Sequence, residues 1–148
     1  MLIIVDANIL ISAVIYPDSF IGLILSSNNP DIELVLPQFA LEETLMHKNK
    51  ICKKLKIPEN IFDEALNRIK EINLIYSLDI LSAKNTSAAY AIASDIDPKD
   101  TVYIAFSIEL NAIVWTGDLK LHHALRKKEF NNIITTAEFK RILKGFNS

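Results

Sequence analysis

The stretch "LIIVDANIL", Leu2 to Leu10, decides how the rest of the chain is interpreted. Its first part, Leu2 to Val5, is a short apolar, β-rich run that predicts a buried strand. The run ends on Asp6, and Asn8 follows two positions later. A carboxylate at the end of a buried strand is costly to remove from water unless a partner compensates its charge. We therefore expect a compensating group beside Asp6.

Short apolar runs alternate with helical segments along the rest of the chain. Further strands are predicted at "IELVLP" (32–37), "AIVWT" (112–116) and "NIITT" (132–136). The predicted helices lie at 19–27, 38–48, 59–75, 98–110, 119–128 and 137–145, with a short helix or turn at 86–94. This alternation is typical of a parallel sheet covered by helices on both faces. The sequence predicts a three-layer α/β/α fold with a central parallel sheet and Rossmann-like topology.

Several helix ends carry local signals. Ser19 is a candidate N-cap, Pro37 opens the helix that follows it, and Asp97 with Pro98 reads as an N-cap followed by proline at the first helical position. Thr135 with Glu138 forms a capping-box pattern. In the helix predicted over 59–75, one apolar stripe is expected to be buried, namely Ile61, Phe62, Ala65, Leu66, Ile69 and Ile72.

Composition limits the class of protein. The chain has 148 residues, 50% hydrophobic and 23% charged, which predicts one globular domain over residues 1–148. The only cysteine, Cys52, excludes an internal disulfide and a cysteine zinc cluster. No apolar run approaches the ~18 residues of a membrane span. We expect a cytoplasmic protein with no membrane contact.

The charge balance argues against a bulk electrostatic grip on nucleic acid. Sixteen basic residues stand against eighteen acidic ones, for a net charge of −2. A local grip remains open, because basic residues cluster at 47–56 ("HKNKICKKLK") and around Arg126 to Lys128. A solvated helix face explains both clusters equally well.

Four acids stand out because of where they lie relative to the predicted elements. Asp6 and Asp118 follow strands, whose carboxyl ends meet at one edge of a parallel sheet. Asp100 lies in the first turn of the helix before the Asp118 strand, and Glu43 lies near the start of the helix after the second strand. Clustered carboxylates repel one another unless they take up protons or a cation, and hard oxygen ligands suit Mg²⁺ or Mn²⁺.

Each of these acids also has a purely structural explanation. Asp6 and Asp118 could cap turns, Glu43 could be a surface residue, and Asp100 could favour the dipole of its helix. Asp97 is explained as a helix cap and is kept only as a reserve metal ligand. The coincidence of four acids at one edge favours a shared site.

Three segments of the chain then resemble one known family. The segment "VDANIL" resembles its opening D-x-N motif, giving Asp6 and Asn8, and "PQFALEETL" resembles its segment with a single acidic ligand, giving Glu43. The segment "DPKDTVYIAFSIELNAIVWTGD" resembles its acid–helix–strand–T-x-D block, giving Asp100, Thr116 and Asp118. The family is the PIN domain, which includes the VapC-like toxin ribonucleases of type II toxin–antitoxin pairs. Ala7 departs from the threonine that the family often carries there.

The resemblance implies a Mg²⁺- or Mn²⁺-dependent endoribonuclease that hydrolyses RNA phosphodiester bonds. It implies an ion held by Asp6, Asp100 and Asp118, with Glu43 assisting directly or through water. Asn8 and Thr116 would orient these carboxylates. The resemblance also implies a homodimer and, in the toxin branch, an antitoxin protein as partner.

Other functions are left open or disfavoured by the same residues. A catalytically silent PIN-like domain that serves as a protein or RNA interaction module remains the alternative. A phosphate-binding module would need a glycine-rich loop, and a receiver domain an acidic pair after the first strand; neither occurs. An acid–base nuclease using His122 and His123 is disfavoured because adjacent helical residues point about 100° apart. Both histidines are interpreted as surface residues.

Overall fold

The computed structural model describes residues 1–146. Within this range one sheet contains five strands, which are β1 Leu2–Val5, β2 Glu33–Pro37, β3 Leu74–Tyr76, β4 Ile113–Trp115 and β5 Ile133–Ile134. The α-helices that surround it are α1 Ala7–Ile15, α2 Phe20–Leu25, α3 Gln38–Met46, α4 Lys48–Leu55, α5 Glu59–Ile72, α6 Ala83–Ala93, α7 Thr101–Leu110, α8 Leu119–Lys127 and α9 Thr136–Phe146. The predicted three-layer α/β/α fold is confirmed.

The strand order explains where a site can form. The order is β3-β2-β1-β4-β5, and every neighbouring pair is parallel. The chain therefore builds outward from β1 to one side and then returns to build the other side from β4. The two central strands β1 and β4 flank a topological switch point, where a crevice opens at the carboxyl ends of the strands. Asp6 follows β1 and Asp118 lies three residues after β4.

The third strand, β3, corrects the sequence prediction. The helix predicted to continue to Ile75 ends at Ile72, and the next residues form the edge strand β3. The side chain of Asn73 ends the helix, since its amide donates to the carbonyl oxygens of Ile69 (2.9 Å) and Leu25 (2.8 Å). The predicted buried stripe is partly wrong. Ile61 is 49% exposed, whereas Phe62, Leu66 and Ile69 are buried.

Several further helices differ from the sequence prediction. The helix α1 was not predicted because its sequence "ANILISAVI" is apolar almost throughout and shows no amphipathic period. The helix α6 runs from Ala83 to Ala93, longer than the short element predicted at 86–94. The helix predicted at 98–110 opens as a 3₁₀ turn, Pro98–Asp100, before α7 begins.

The predicted caps are confirmed. The hydroxyl of Ser19 accepts from Gly22 N–H (3.1 Å), and the Asp97 carboxylate accepts from Lys99 N–H (3.0 Å). In the capping box, Thr135 Oγ1 accepts from Glu138 N–H (3.2 Å) while Glu138 Oε1 accepts from Thr135 N–H (3.1 Å). Within residues 1–146, no helix is long and apolar enough to cross a membrane.

Candidate active site

Asp6 lies at the junction of β1 and α1 and is only 5% exposed. Its Oδ1 accepts from the backbone N–H of Ile9 (3.0 Å), so the carboxylate caps the N-terminus of α1. Its Oδ2 accepts from the hydroxyl of Thr116 at 2.5 Å. The partners that compensate the buried Asp6 carboxylate are therefore the N-terminus of α1 and the hydroxyl of Thr116. Asp6 also has the capping role considered for it from the sequence.

Thr116 connects the two central strands. Its side chain is fully buried, and its Oγ1, besides donating to Asp6, accepts from the backbone N–H of Asp118 (3.0 Å). Asp118 is in turn the N-cap of α8, with Oδ1 accepting from Leu121 N–H (3.0 Å). One hydroxyl thus contacts both the Asp6 carboxylate and the Asp118 backbone, while the orienting role that the resemblance implied for Thr116 stays a prediction.

Asp100 and Glu43 are placed differently. Asp100 is the residue before α7 but makes no capping hydrogen bond, and Glu43 is half-buried on α3. Among residues 1–146, neither carboxylate has a side-chain hydrogen bond or an ion pair. Both are therefore available for contacts that the folded chain itself does not supply.

The electrostatics show that these acids share one region. Burial, followed by the negative charges of Asp97, Asp6, Asp118 and Glu43, raises the pKa of Asp100 to about 7. Burial also raises the pKa of Asp6, while the Thr116 hydroxyl and the backbone amides of Ile9 and Asn8 oppose this rise. We call Asp6, Glu43, Asp100 and Asp118 the acidic cluster.

Tyr103 belongs to the same region and was not identified from the sequence. It is buried, and its hydroxyl accepts from the backbone N–H of Ala7 (3.2 Å), the residue after Asp6. Its ring packs edge-on against Phe39 of α3, with centroids 6.1 Å apart. Burial and the negative charges of Asp6, Glu43 and Asp100 raise the pKa of Tyr103, so it stays a neutral phenol. Its position one helical turn after Asp100 was the available signal.

The cluster suits a divalent cation in donor chemistry and in charge. Its donors are hard carboxylate oxygens, and the pKa of Asp100 is raised first by burial and then by neighbouring negative charges, which a cation would offset. No group of three histidine, cysteine or carboxylate side chains within residues 1–146 is already close enough to form a metal site. Binding an ion therefore requires side chains to turn, and Asp100 and Glu43 have no hydrogen bond that prevents it.

Three other predicted residues contribute no side chain to the acidic cluster. Asn8 is exposed, and its side chain makes no hydrogen bond to the cluster within residues 1–146, so its orienting role stays a prediction. His123 is exposed as predicted, but His122 is half-buried, and its prediction as a surface residue is wrong. Its Nε2 lies 2.6 Å from Glu138 Oε1, because the capping box brings Glu138 of α9 against α8. Arg126 donates to the same carboxylate at 3.1 Å.

The chain is similar to known proteins both in sequence and in structure. Residues 4–137 match the family model of the PIN domain. Among solved structures, the chain is similar to a crystal structure of VapBC2 from Rickettsia felis, bound to a DNA fragment from their promoter. The identity is 19% and the TM-score 0.58, over 91% of this chain and 97% of that chain, a likeness in fold. No curated protein matches the chain significantly.

Proposed function

Since the chain belongs to the PIN-domain family, we propose that it is an endoribonuclease that uses Mg²⁺ or Mn²⁺ to hydrolyse RNA phosphodiester bonds. The observation that carries the proposal is the convergence of four carboxylates at the switch point of the sheet, two of them without any hydrogen bond. Clustered carboxylates repel one another, which is unfavourable in a folded protein unless a bound cation or a proton offsets part of the negative charge.

We assign the cluster residues distinct roles. Asp6, Asp100 and Asp118 hold the ion, and Glu43 assists directly or through water, with Asp97 in reserve. When bound, the ion supplies polarisation of the phosphate and a water of lowered pKa. Thr116 orients Asp6 through its hydroxyl and fixes the Asp118 backbone. Tyr103 fixes the first turn of α1, since its hydroxyl holds the N–H of Ala7 beside Asp6.

We propose further that the chain is the toxin of a type II toxin–antitoxin pair, folded as one domain over residues 1–148. The fold likeness to the toxin-containing VapBC2 complex supports this role. An antitoxin protein and a second copy of the chain are then the expected partners. Exposed apolar side chains, such as Met46 (79% exposed) and Leu119 (67% exposed), give such partners apolar surface to cover.

One observation favours a second candidate, a catalytically silent PIN-like module that binds RNA or protein. The carboxylates within residues 1–146 do not already form a three-ligand group around one point. A silent module would keep the fold and the hydrogen bonds of Asp6 and Thr116 but would bind no divalent ion. The two candidates therefore differ in metal binding as well as in cleavage.

The test is cleavage of single-stranded RNA in the presence of Mn²⁺, with the fragment ends analysed by mass. Attack by a metal-activated water leaves a 5′-phosphate and a 3′-hydroxyl, and EDTA abolishes it. A histidine acid–base nuclease would instead let the ribose 2′-hydroxyl attack, leaving a 2′,3′-cyclic phosphate in EDTA. Cyclic-phosphate ends that form in EDTA, and that Asp100→Asn does not remove, would contradict the proposal.

A further inference from the structure

A groove of about 360 Å³ lies between α1 and α4, beside the acidic cluster. Asn8, two residues after Asp6, belongs to its wall. The other residues that line it are Ile11, His47, Lys50, Ile51, Lys54 and Leu55. The groove is therefore basic and polar at its rim and aliphatic within, and at the Asn8 end it meets the first turn of the helix that Asp6 caps.

The α4 wall of the groove carries its basic residues. Lys50 and Lys54 are four residues apart on α4, which places them on one side of that helix. His47 lies between α3 and α4, and its N–H donates to the carbonyl oxygen of Glu43 (3.3 Å), four residues earlier. We call His47, Lys50 and Lys54 the basic stripe, which thus begins next to Glu43, the member of the acidic cluster on α3.

The lysines of this stripe have charge that no other residue compensates. Lys48, at the start of α4, is paired with Asp63 at 2.8 Å. Within residues 1–146, Lys50 and Lys54 have no ion pair and no side-chain hydrogen bond. The last turn of α4 also favours positive charge, because the helix dipole is negative there.

A polyanion can reach the acidic cluster only if nearby cations compensate the repulsion. The chain carries a net charge of −2, so no general attraction brings RNA to the site. Uncompensated lysines in a groove that begins at the cluster supply this attraction locally. The aliphatic side chains of Ile11, Ile51 and Leu55 offer the ribose or base an apolar surface between the phosphates.

We propose that the groove between α1 and α4 is the track for the single-stranded RNA on one side of the cleavage position, with Lys50 and Lys54 contacting its phosphates. His47, between the lysines and Glu43, donates a hydrogen bond to the phosphate nearest the cleavage site. This inference rests on the proposed function for its substrate class. An acidic, apolar peptide is the competing occupant, and RNA is favoured because the basic stripe begins beside the carboxylates proposed to cleave it.

The test compares two double variants that remove the same charge. Lys50→Gln with Lys54→Gln changes the groove, whereas Lys53→Gln with Lys70→Gln changes two exposed, unpaired lysines outside it. Glutamine is a good helix former, so both variants should fold. Binding of a mixed-sequence single-stranded RNA is measured by fluorescence anisotropy in EDTA over a range of salt concentrations. EDTA prevents cleavage, so the measurement does not depend on catalysis.

Loss of two phosphate contacts to a single strand should reduce the steepness of log K against log salt by about 1.4. This corresponds to roughly 25-fold weaker binding near 0.1 M salt. The control variant should bind within about twofold of the unmodified chain, because scattered surface charges add little at this ionic strength. Both variants should melt at the same temperature.

The outcomes separate this inference from the proposed function. If the unmodified chain cleaves RNA but both variants bind it equally well, the track is wrong and the nuclease stands. If the unmodified chain cleaves no RNA but only the groove variant loses binding, the track stands without the nuclease. Absence of RNA binding by the unmodified chain contradicts the track. The track is also contradicted if a synthetic peptide of alternating glutamate and leucine binds through Lys50 and Lys54, while RNA binding does not depend on these lysines.

Discussion

The acidic cluster has two halves that the chain treats in opposite ways. Asp6 and Asp118 each cap a helix, and the Thr116 hydroxyl joins them. Asp100 and Glu43 receive no hydrogen bond from the described part of the chain, and the pKa of Asp100 rises to about 7. Asp6 and Asp118 are thus hydrogen-bonded into the fold, whereas Asp100 and Glu43 lie near them with no donor to compensate their negative charge.

The difference teaches how one site combines stability and reactivity. Carboxylates that cap helices stabilise the folded state, because they satisfy backbone N–H groups that would otherwise lack partners. Carboxylates without donors repel one another and destabilise the protein until a cation or proton arrives. Substitutions in the two halves should therefore have distinguishable effects on stability, even where their effects on cleavage are the same.

The largest expected effect is on cleavage and does not distinguish the halves. Asp6→Asn, Asp100→Asn and Asp118→Asn should each lower RNA cleavage more than about a hundredfold. This exceeds the ~10- to 100-fold loss typical when a residue that only supports a metal ligand is removed. Each change is nearly isosteric, and Asp6→Asn and Asp118→Asn keep their helix caps, since asparagine caps about as well as aspartate. Cleavage rates under Mn²⁺ measure the effect.

The matched control for these variants is Asp97→Asn. Asp97 caps the 3₁₀ turn before α7 and is the nearest acid in sequence to Asp100. Asparagine preserves this cap, so activity should stay within about twofold. An inactive Asp97→Asn together with an active Asp100→Asn would show that the ligand assignment is wrong.

The next largest effect concerns the half that is hydrogen-bonded into the fold. Thr116→Val keeps the shape of the side chain but leaves Asp6 Oδ2 and the N–H of Asp118 without their partner. We expect a loss of about 2–3 kcal/mol in the free energy of unfolding, because the hydroxyl serves a buried charged group. Thr116→Ser, which keeps the hydroxyl, should lose only about 1 kcal/mol. Urea denaturation compares the two, and equal losses would contradict the role of the hydroxyl.

A smaller effect tests the uncompensated half through pH. The pKa of Asp100 is about 7 in the folded protein and 3.8 when unperturbed, so between these values the folded state binds more protons. The free energy of unfolding of the metal-free protein should therefore fall as pH rises from about 4 to about 7. Solvent screens this partly exposed group, which limits the change to a few degrees in melting temperature.

The comparison variant for the pH effect is Asp100→Asn, which cannot titrate. Its melting temperature in EDTA should fall less than that of the unmodified chain between about pH 5 and about pH 8. Above about pH 7 the variant should be the more stable of the two, since it removes one negative charge from the cluster. Parallel pH profiles for the two proteins would contradict the raised pKa of Asp100.

The smallest effect belongs to Tyr103. Tyr103→Phe keeps the ring and its packing on Phe39 but leaves the N–H of Ala7 without an acceptor. We expect a loss of about 1 kcal/mol, typical of one neutral hydrogen bond. Urea denaturation checks it, with Tyr90→Phe as control, because Tyr90 is 62% exposed. A loss no larger than that of the control would remove Tyr103 from the support of α1.

Much of the fold was predictable because alternation of short apolar runs and helices is a local signal. The missed strand β3 shows the limit of such signals, since Ile72 and Ile75 continue the helical spacing of α5. What ends the helix is Asn73, whose amide bonds to Leu25, a residue 48 positions away. Only the tertiary structure supplies that contact. The helix α1 was missed for the related reason that a helix apolar on almost every face shows no period.

The site was predictable to the level of its acids and no further. Asp6 and Asp118 were identifiable because both follow strands, and Thr116 only through the resemblance to the family's T-x-D segment. Tyr103 was missed, because its contact with Ala7 spans 96 residues and the one local signal was its position a helical turn after Asp100. The differing treatment of Asp6 and Asp100 was also beyond the sequence, since it depends on which donors the folded chain brings to each carboxylate.

The most direct test of the acidic cluster as a metal site is a melting curve with and without Mn²⁺ at neutral pH. A ligand at a hundredfold its dissociation constant adds about 2.7 kcal/mol to the stability of the folded state, a shift of several degrees. We predict this shift for the unmodified chain and for Asp97→Asn, and its loss in Asp100→Asn. Melting temperatures that do not change with millimolar Mn²⁺, or that rise equally in all three proteins, would contradict the account.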